Sequence, residues 1–196
     1  MLQNLPSIAL LAVPTTASFK RMVDGVWSGG TYIYWGTDNR EAPVRLCNPF
    51  SAPSRNFEIK CLDGIANPYL AVASFISAGM DGVSRDVECQ IRDCSSETAA
   101  DMGEENRKRL RITERMPLTW EDARSAFGNS DLVDNAFGRY FKTNYLNINK
   151  VRSFCHSCYR LLTVLNVDAC RTNGNRKDRR GATKEMGGDL LNYSKY

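Results

Sequence analysis

The chain has 196 residues, of which 42% are hydrophobic and 24% are charged, which is the composition of a globular protein of one or two domains. Its formal net charge is only +4, because 22 acidic residues offset 26 basic ones, so charge alone indicates neither nucleic acid nor a membrane as a partner. The 7 cysteines are widely spaced and odd in number, unlike the dense disulfide framework of a small secreted domain. We therefore predict free thiols in a soluble, cytoplasmic protein.

The first element along the chain is an apolar run from Leu5 to Pro14. It resembles the core of a signal peptide, but no Lys or Arg precedes it and two prolines bracket it. It is also too short to cross a bilayer, which takes about 20 apolar residues in a helix. We therefore expect no membrane partner.

Two strand regions follow, one from Thr31 to Cys47 and one from Arg55 to Leu62, because both are rich in strand-forming residues or alternate in polarity. Successive side chains of a strand point to opposite faces. The second region therefore has an apolar and a polar face, made respectively of Phe57, Ile59, Cys61 and of Asn56, Glu58, Lys60. We predict that the apolar face belongs to the core and that the polar face carries the chemistry.

Three helices are predicted after the strand regions. Asn67 and Pro68 are a cap and a first turn for a helix from Tyr69 to Met80, which is apolar nearly all round and is therefore expected to be buried, with Asp81-Gly82 as its end. The polar segment from Ser84 to Met102 is expected to be a surface excursion. Two further helices are predicted, from Thr119 to Phe127 behind a Thr119-x-x-Asp122 capping box and from Ser130 to about Lys150.

The last part of the chain, residues 152–196, is predicted to be a divergent and partly disordered tail. Its basic run from Arg171 to Gly181 contains no aromatic residues that would stack on bases, so a solvated tail is preferred over RNA binding. Cys155-His156-Ser157-Cys158 has the close spacing of zinc ligands, which leaves a zinc-stabilised nucleic-acid module as a minor alternative. We expect no metal there and no nucleic-acid partner.

The residues that point to chemistry are charged and lie near the ends of the predicted strands. Arginine guanidinium groups match phosphate or carboxylate oxygens in bidentate fashion, so several of them around one pocket indicate a polyanionic ligand. Glu58, beside these cations, is a natural ligand for a hard divalent ion. The alternative is that Arg40, Arg45, Glu58 and Lys60 form cross-strand ion pairs on a solvated face. Arg40 and Arg45 are an odd number of residues apart, so both reach one site only if Pro43 marks a break in the strand.

Several ordered motifs, from about Leu2 to Val151, resemble the C-terminal part of the glutamine synthetase catalytic domain. They are Pro14-Thr15-Thr16-x-Ser18-Phe19-Lys20-Arg21, Asn39-Arg-x-Ala-x-x-Arg45, Phe57-Glu58-x-Lys60 with Asp63, Ala66-Asn67-Pro68-Tyr69-Leu70, and Arg115-x-Pro117-Leu118. Within that family the sequence is similar to the fungal glutamine synthetase-like group that includes the fluffy-type proteins. Several motifs in one order are more specific than any of them alone.

The resemblance implies a fold and a reaction. Residues 1–151 are expected to form an α+β domain, with an antiparallel sheet and flanking helices. The implied reaction is ATP-dependent activation of a γ-carboxylate to an acyl phosphate, which ammonia or another amine then displaces. ATP and Mg²⁺ or Mn²⁺ are the implied cofactors, the partners are an amino acid and an amine, and a complete chain is expected to form a homo-oligomer.

The resemblance also assigns roles to single residues. Arg21 would bind the substrate carboxylate, Arg40, Arg45 and Arg55 would hold nucleotide phosphates, and Glu58 would ligate the metal. Arg40 and Lys60 would be catalytic, Lys60 also contacting the substrate, although the family commonly has arginine at the position of Lys60. Because the family's other metal ligands lie upstream of the matched region, we predict a truncated ligase, with an inactive regulatory or scaffolding protein as the alternative.

Overall fold

The computed structural model describes residues 1–25, 30–95 and 97–150. The predicted tail over residues 152–196, with its cysteine–histidine cluster and its basic run, lies outside the described residues. The four cysteines that are described are free thiols, as predicted: Cys47, Cys61, Cys89 and Cys94. Within the described ranges, no helix has both the length and the apolar character needed to cross a membrane.

In the described chain, two helices precede a group of three short strands and the other helices follow it, which gives the predicted α+β class. The helices are α1 (Leu5–Ala12), α2 (Thr16–Phe19), α3 (Pro68–Ser84), α4 (Gly103–Arg109), α5 (Trp120–Gly128), α6 (Asp131–Phe137) and α7 (139–150). The strands are β1 (Trp35–Thr37), β2 (Val44–Cys47) and β3 (Asn56–Ile59), with 3₁₀ turns at Leu2–Asn4 and Ala52–Ser54.

The apolar run near the N-terminus forms α1, the central helix of the core. Leu5, Ile8, Leu10 and Leu11 are at most 1% exposed, and α1 contacts α3, α5 and α6. Burying a leucine or isoleucine side chain contributes about 1.5–3 kcal/mol, so this helix is a main source of stability. The run that resembles a signal-peptide core is thus an enclosed helix of the fold.

The sheet has the order β1-β2-β3 and is mixed. β2 and β3 pair antiparallel, as predicted, whereas β1 lies parallel to β2. The loop 38–43 connects the parallel pair, and Asp38 at its start has a positive φ of 51°. Pro43 ends this loop and β2 begins at Val44, so the predicted break between Arg40 and Arg45 is confirmed.

The two faces of β3 alternate as predicted, but the apolar face is only partly buried. Cys61 is 8% exposed, whereas Phe57 is 65% exposed, so its placement in the core was wrong. Phe57 borders an open apolar groove of about 380 Å³ together with Trp35, Val44 and Leu46. The difference arises because none of the described residues covers this end of the sheet.

The free edge of β1 is covered by the segment 91–95. The Cys94 amide donates to the Trp35 carbonyl at 3.2 Å, and the Asp93 carboxylate accepts from the Thr37 amide at 2.8 Å. Cys94 is 3% exposed, so the expectation of a surface excursion was wrong at this residue. The sequence of this segment is polar and does not indicate the contact, because the backbone of the segment, rather than an apolar side chain, pairs with the sheet.

Helix α3 begins as predicted and ends later than predicted. The Asn67 side chain accepts from the amides of Tyr69 at 3.0 Å and Leu70 at 3.3 Å, which confirms the cap. The helix continues through Asp81 to Ser84, and Asp81 forms an ion pair with Arg85 four residues later. A helical carboxylate and cation at this spacing support each other, and they stabilise the last turn.

The prediction that α3 is buried all round was wrong. Its inner face contains Ala71, Phe75 and Ala78, which are at most 8% exposed, while Val72 and Ile76 on the outer face are 53% and 59% exposed. Apolar residues on both sides of a helix show that either face could be buried against a partner. They do not show whether a second partner is present.

Replacing Ile76 by lysine is expected to change the free energy of unfolding by no more than about 0.5 kcal/mol, because its side chain is already exposed. The same replacement at Ala78, which is 0% exposed, puts an unpaired charge into the core. We expect it to cost roughly 3 kcal/mol or more. Urea unfolding followed by circular dichroism measures both values. Equal losses for the two variants would show that the outer face of α3 is covered in solution.

The last helices follow the predicted pattern with one interruption. Thr119 accepts from the Asp122 amide at 3.1 Å, which confirms the cap of α5. The single helix predicted from Ser130 to Lys150 is divided into α6 and α7, because Gly138 adopts a φ of 82°. Phe137 and Phe141 stack across this break with ring centroids 5.2 Å apart, so the two pieces stay in contact.

Candidate active site

Arg45 and Glu58 form the centre of the polar face of the sheet. They are register partners on β2 and β3, and Arg45 Nη2 lies 2.7 Å from Glu58 Oε2. Arg45 Nε also donates to Cys47 Sγ at 3.1 Å, a contact that raises the pKa of Arg45. The cross-strand ion pair considered as the alternative is therefore present. An ion pair this exposed is worth at most about 1 kcal/mol, so it does not bar the guanidinium from a phosphate.

Lys60 joins this ion pair to the loop that carries Arg40. Its amide donates to the Pro43 carbonyl at 2.9 Å, and its Nζ donates to the Arg40 carbonyl. The pKa of Lys60 is lowered, first by burial and then by the nearby Arg45 and Arg40 charges, against the opposing attraction of Glu58. The four charged residues of the predicted site, Arg40, Arg45, Glu58 and Lys60, therefore lie together.

Arg21 lies at the end of α2 and is held by a carboxylate from a distant part of the chain. It donates to Asp63, and its Nη2 also donates to Ser18 Oγ at 3.3 Å. Burial alone would raise the pKa of Asp63, but hydrogen bonds from Ser18 and the Ile65 amide, together with Arg21, bring that pKa below its usual value. Asp63 is thus an anion that orients the guanidinium of Arg21.

A cavity of about 230 Å³ connects Arg21 with Lys60. Its walls come from the end of α1, the α2 region and the segment after β3, and they are Val13, Ser18, Arg21, Met22, Val23, Gly30, Lys60, Cys61, Leu62, Asp63 and Gly64. Burial raises the pKa of the Cys61 thiol to about 12, so this wall is neutral at physiological pH. The cavity offers two cations and one anion to a small polar ligand.

Arg55, the remaining predicted phosphate ligand, precedes the start of β3, whereas Lys60 follows its end. Its guanidinium donates from Nε and Nη2 to the Pro49 carbonyl at 3.0 and 2.6 Å. The structure thus joins Arg55 to its own turn and does not bring it to the cavity.

The described residues supply one metal ligand of the predicted kind. Mg²⁺ is usually held by one or two carboxylates together with water and substrate phosphates. Glu58 is such a carboxylate, and the described ranges contain no group of three or more His, Cys, Asp or Glu side chains arranged to hold a metal. The donor set therefore fits an ion shared with nucleotide phosphates, and it does not fit a site complete in itself.

Sequence reasoning missed two residues that organise this site. Asp63 was recognised as part of a motif but not as the partner of Arg21, 42 residues away. Ser18, 2% exposed, contributes a hydroxyl between them. The only sequence signal for either was its place in a motif, because an ion pair over that separation depends on the packing of α2 against the chain after β3.

The fold agrees with a family comparison. The family model for the catalytic domain of glutamine synthetase matches residues 1–154. The chain therefore belongs to the glutamine synthetase family, and it corresponds to the C-terminal part of that catalytic domain.

Individual relatives place the chain within this family. It is 34% identical over 153 residues to protein fluG of Emericella nidulans, covering 78% of this chain and 17% of fluG. It is 36% identical over 141 residues to the glutamine synthetase of Pyrococcus woesei, covering 71% of this chain and 31% of that enzyme. The solved structure of apo GmaS without ligand shares the fold, with a TM-score of 0.57 at 22% identity, over 80% of this chain and 33% of that one. The chain thus spans about a third or less of the length of these relatives.

Proposed function

We propose that the chain carries the C-terminal part of the active site of a glutamine synthetase-type, ATP-dependent carboxylate–amine ligase. The observation that supports this most is the position of Lys60, which lines the cavity beside Arg21 and also contacts the loop of Arg40. A cavity suited to an amino acid thereby adjoins a cluster suited to phosphates. Transfer of a phosphoryl group between two such ligands requires them to be neighbours.

Each predicted residue has a role in this proposal. Arg21, oriented by Asp63, binds the carboxylate of the amino-acid substrate. Arg40 and Arg45 neutralise the nucleotide phosphates and the transferring phosphoryl group, because guanidinium groups offer two parallel donors to phosphate oxygens. Lys60 stands between the two ligands and stabilises the acyl phosphate, after which ammonia or another amine displaces the phosphate. Arg55 contributes to phosphate binding only after it leaves the Pro49 carbonyl.

Glu58 is the proposed ligand for Mg²⁺ or Mn²⁺. The bound ion supplies positive charge that neutralises the phosphates of ATP. Glu58 would hold such an ion with the carboxylate that now pairs with Arg45, and the Arg45 guanidinium would then be available to a phosphate. We further propose that the protein acts in the cytoplasm, where its thiols stay reduced, and as a homo-oligomer, as its family implies.

Isothermal titration of the folded 196-residue chain with ATP, with and without Mg²⁺, tests the proposal. We expect saturable binding that the metal strengthens. In Glu58→Gln the strengthening by Mg²⁺ is expected to fall by about tenfold to a hundredfold, because a bond to a charged group is worth about 1.5–3 kcal/mol. Glu105→Gln, an exposed carboxylate in α4, is the matched control and should behave as the unmodified chain.

The second candidate function is a non-catalytic regulatory or scaffolding role. It is the role that a resemblance to the fluffy-type proteins permits. A chain that is folded by circular dichroism but binds no ATP with either Mg²⁺ or Mn²⁺ would overturn the ligase proposal. That result would leave the regulatory role as the better explanation of the site.

A further inference from the structure

Asn39 is a buried side chain with four hydrogen bonds to the backbone of two separate segments, and its Nδ2 also makes a long contact of 4.0 Å with Cys94 Sγ. It is 8% exposed. Its Nδ2 donates to the carbonyls of Cys94 at 2.6 Å and Glu97 at 3.0 Å. Its Oδ1 accepts from the amides of Glu41 at 2.9 Å and Ala42 at 3.3 Å. Every strong donor and acceptor position of the amide is thus used, and the side chain has one orientation that satisfies them.

These bonds fix the backbone on both sides of Arg40. Asn39 precedes Arg40, and the amide of Glu41, which follows it, is held by Asn39 Oδ1. The Arg40 carbonyl accepts from Lys60 Nζ. The Arg40 side chain itself is exposed, so its reach depends on where its backbone lies.

The same amide joins this loop to the segment that covers the edge of β1. Both donors of Asn39 point to carbonyls at 94 and 97, whereas both acceptor bonds go to the loop 38–43. Movement of either segment would strain bonds that are shielded from water, where a lost hydrogen bond leaves unpaired polar groups.

We propose that Asn39 is a positioning residue that sets where the Arg40 guanidinium meets the phosphates of ATP, and that it does so by holding the loop 38–43 against the backbone carbonyls of Cys94 and Glu97. The inference rests on the proposed function, since it concerns the same phosphate site. Asn39 touches no ligand in this role and acts only through Arg40.

Asn39→Asp removes the bonds that Asn39 donates to Cys94 and Glu97 and keeps the bonds that it accepts from its own loop. The carboxylate keeps both acceptor bonds to the loop but loses both donors, and it places an oxygen against two carbonyl oxygens. The loop 38–43 therefore loses its bonds to the carbonyls of Cys94 and Glu97 but keeps the bonds that form its own turn. We expect this variant to bind ATP with Mg²⁺ about tenfold more weakly, because the guanidinium of Arg40 is no longer held in reach.

A double-mutant cycle with Arg40→Gln tests whether the effect passes through Arg40. Dissociation constants for ATP with Mg²⁺ are measured for the unmodified chain, each single variant and the double variant, with circular dichroism confirming that each is folded. We expect Asn39→Asp to weaken binding in the Arg40 background and to leave it unchanged in the Arg40→Gln background. A residue that serves only general stability would weaken binding equally in both.

The outcomes distinguish this inference from the proposed function. No binding of ATP by the unmodified chain overturns both. Binding by the unmodified chain that is unaffected by Asn39→Asp, or is weakened equally in both backgrounds, overturns only the role of Asn39. If Asn39→Asp does not fold, the cycle uses Asn39→Gln, which keeps the amide but displaces it by one methylene, and the same two results decide.

Discussion

Replacing Arg45 by alanine is expected to weaken the binding of ATP with Mg²⁺ by about tenfold to a hundredfold, the equivalent of one charge-assisted bond of about 1.5–3 kcal/mol. The Arg45 side chain is 24% exposed and lies on β2 among the other charges of the site, so its guanidinium is accessible to a phosphate. Isothermal titration on the folded variant measures the change.

Two matched variants make this result specific. Arg45→Lys keeps the charge but removes the planar fork, so its affinity should lie between those of the unmodified chain and Arg45→Ala. Arg109→Ala removes an exposed arginine of α4 and should leave binding unchanged. Binding by Arg45→Ala at full strength would mean that Arg45 and Glu58 are only a solvated ion pair.

Replacing Gly36 by alanine is expected to destabilise the fold by about 1–3 kcal/mol or more, because the new methyl group has no room. A Cβ at this position would lie 2.1 Å from the Cys94 carbonyl oxygen and 2.7 Å from Asn39 Cβ. The first of these is backbone, and it is held by the Asn39 amide, so the segment covering β1 must move away. Urea unfolding measures the loss of stability. Weaker ATP binding is also expected, because the displaced Cys94 carbonyl is a hydrogen-bond partner of Asn39, which holds the loop of Arg40.

Gly79→Ala is the matched control, since it makes the same chemical change in the interior of α3. A Cβ there has nothing within 4 Å. Alanine lowers the conformational entropy of the unfolded chain and favours the helix, so a gain of about 0.5–1 kcal/mol is expected. If both variants lose stability, the clash of a Cβ at position 36 with the Cys94 carbonyl oxygen is not the reason why glycine is needed there.

The parts of the fold that were predictable are those that depend on neighbours in sequence. Asn67 and Thr119 cap their helices because a short polar side chain can reach amides two or three residues ahead whatever the rest of the protein does. The alternation of Phe57 and Glu58 across β3 follows from strand geometry in the same way. The break at Pro43, which the odd spacing of Arg40 and Arg45 requires if both reach one site, is a local property as well.

The parts that were not predictable depend on what lies opposite. Val72 and Phe57 are apolar in the sequence and exposed in the structure, because burial requires a second surface that the described residues do not provide. Cys94 lies in a polar segment and is buried, because a strand edge needs backbone partners more than it needs apolar side chains. Neither fact has a signature in local composition.

For the candidate site, too, local features were predictable and long-range contacts were not. The chemistry expected of the site was predictable from its residue types, since arginines, a lysine and a carboxylate in ordered motifs point to phosphate and metal chemistry. The local caps and turns that present these side chains were predictable as well. Only the tertiary structure decided that Lys60 adjoins both the Arg21 cavity and the Arg40 loop, that Asp63 orients Arg21, and that Asn39 joins two segments. These contacts link residues 20 to 58 positions apart, and their geometry is set by the packing of whole elements rather than by any local preference.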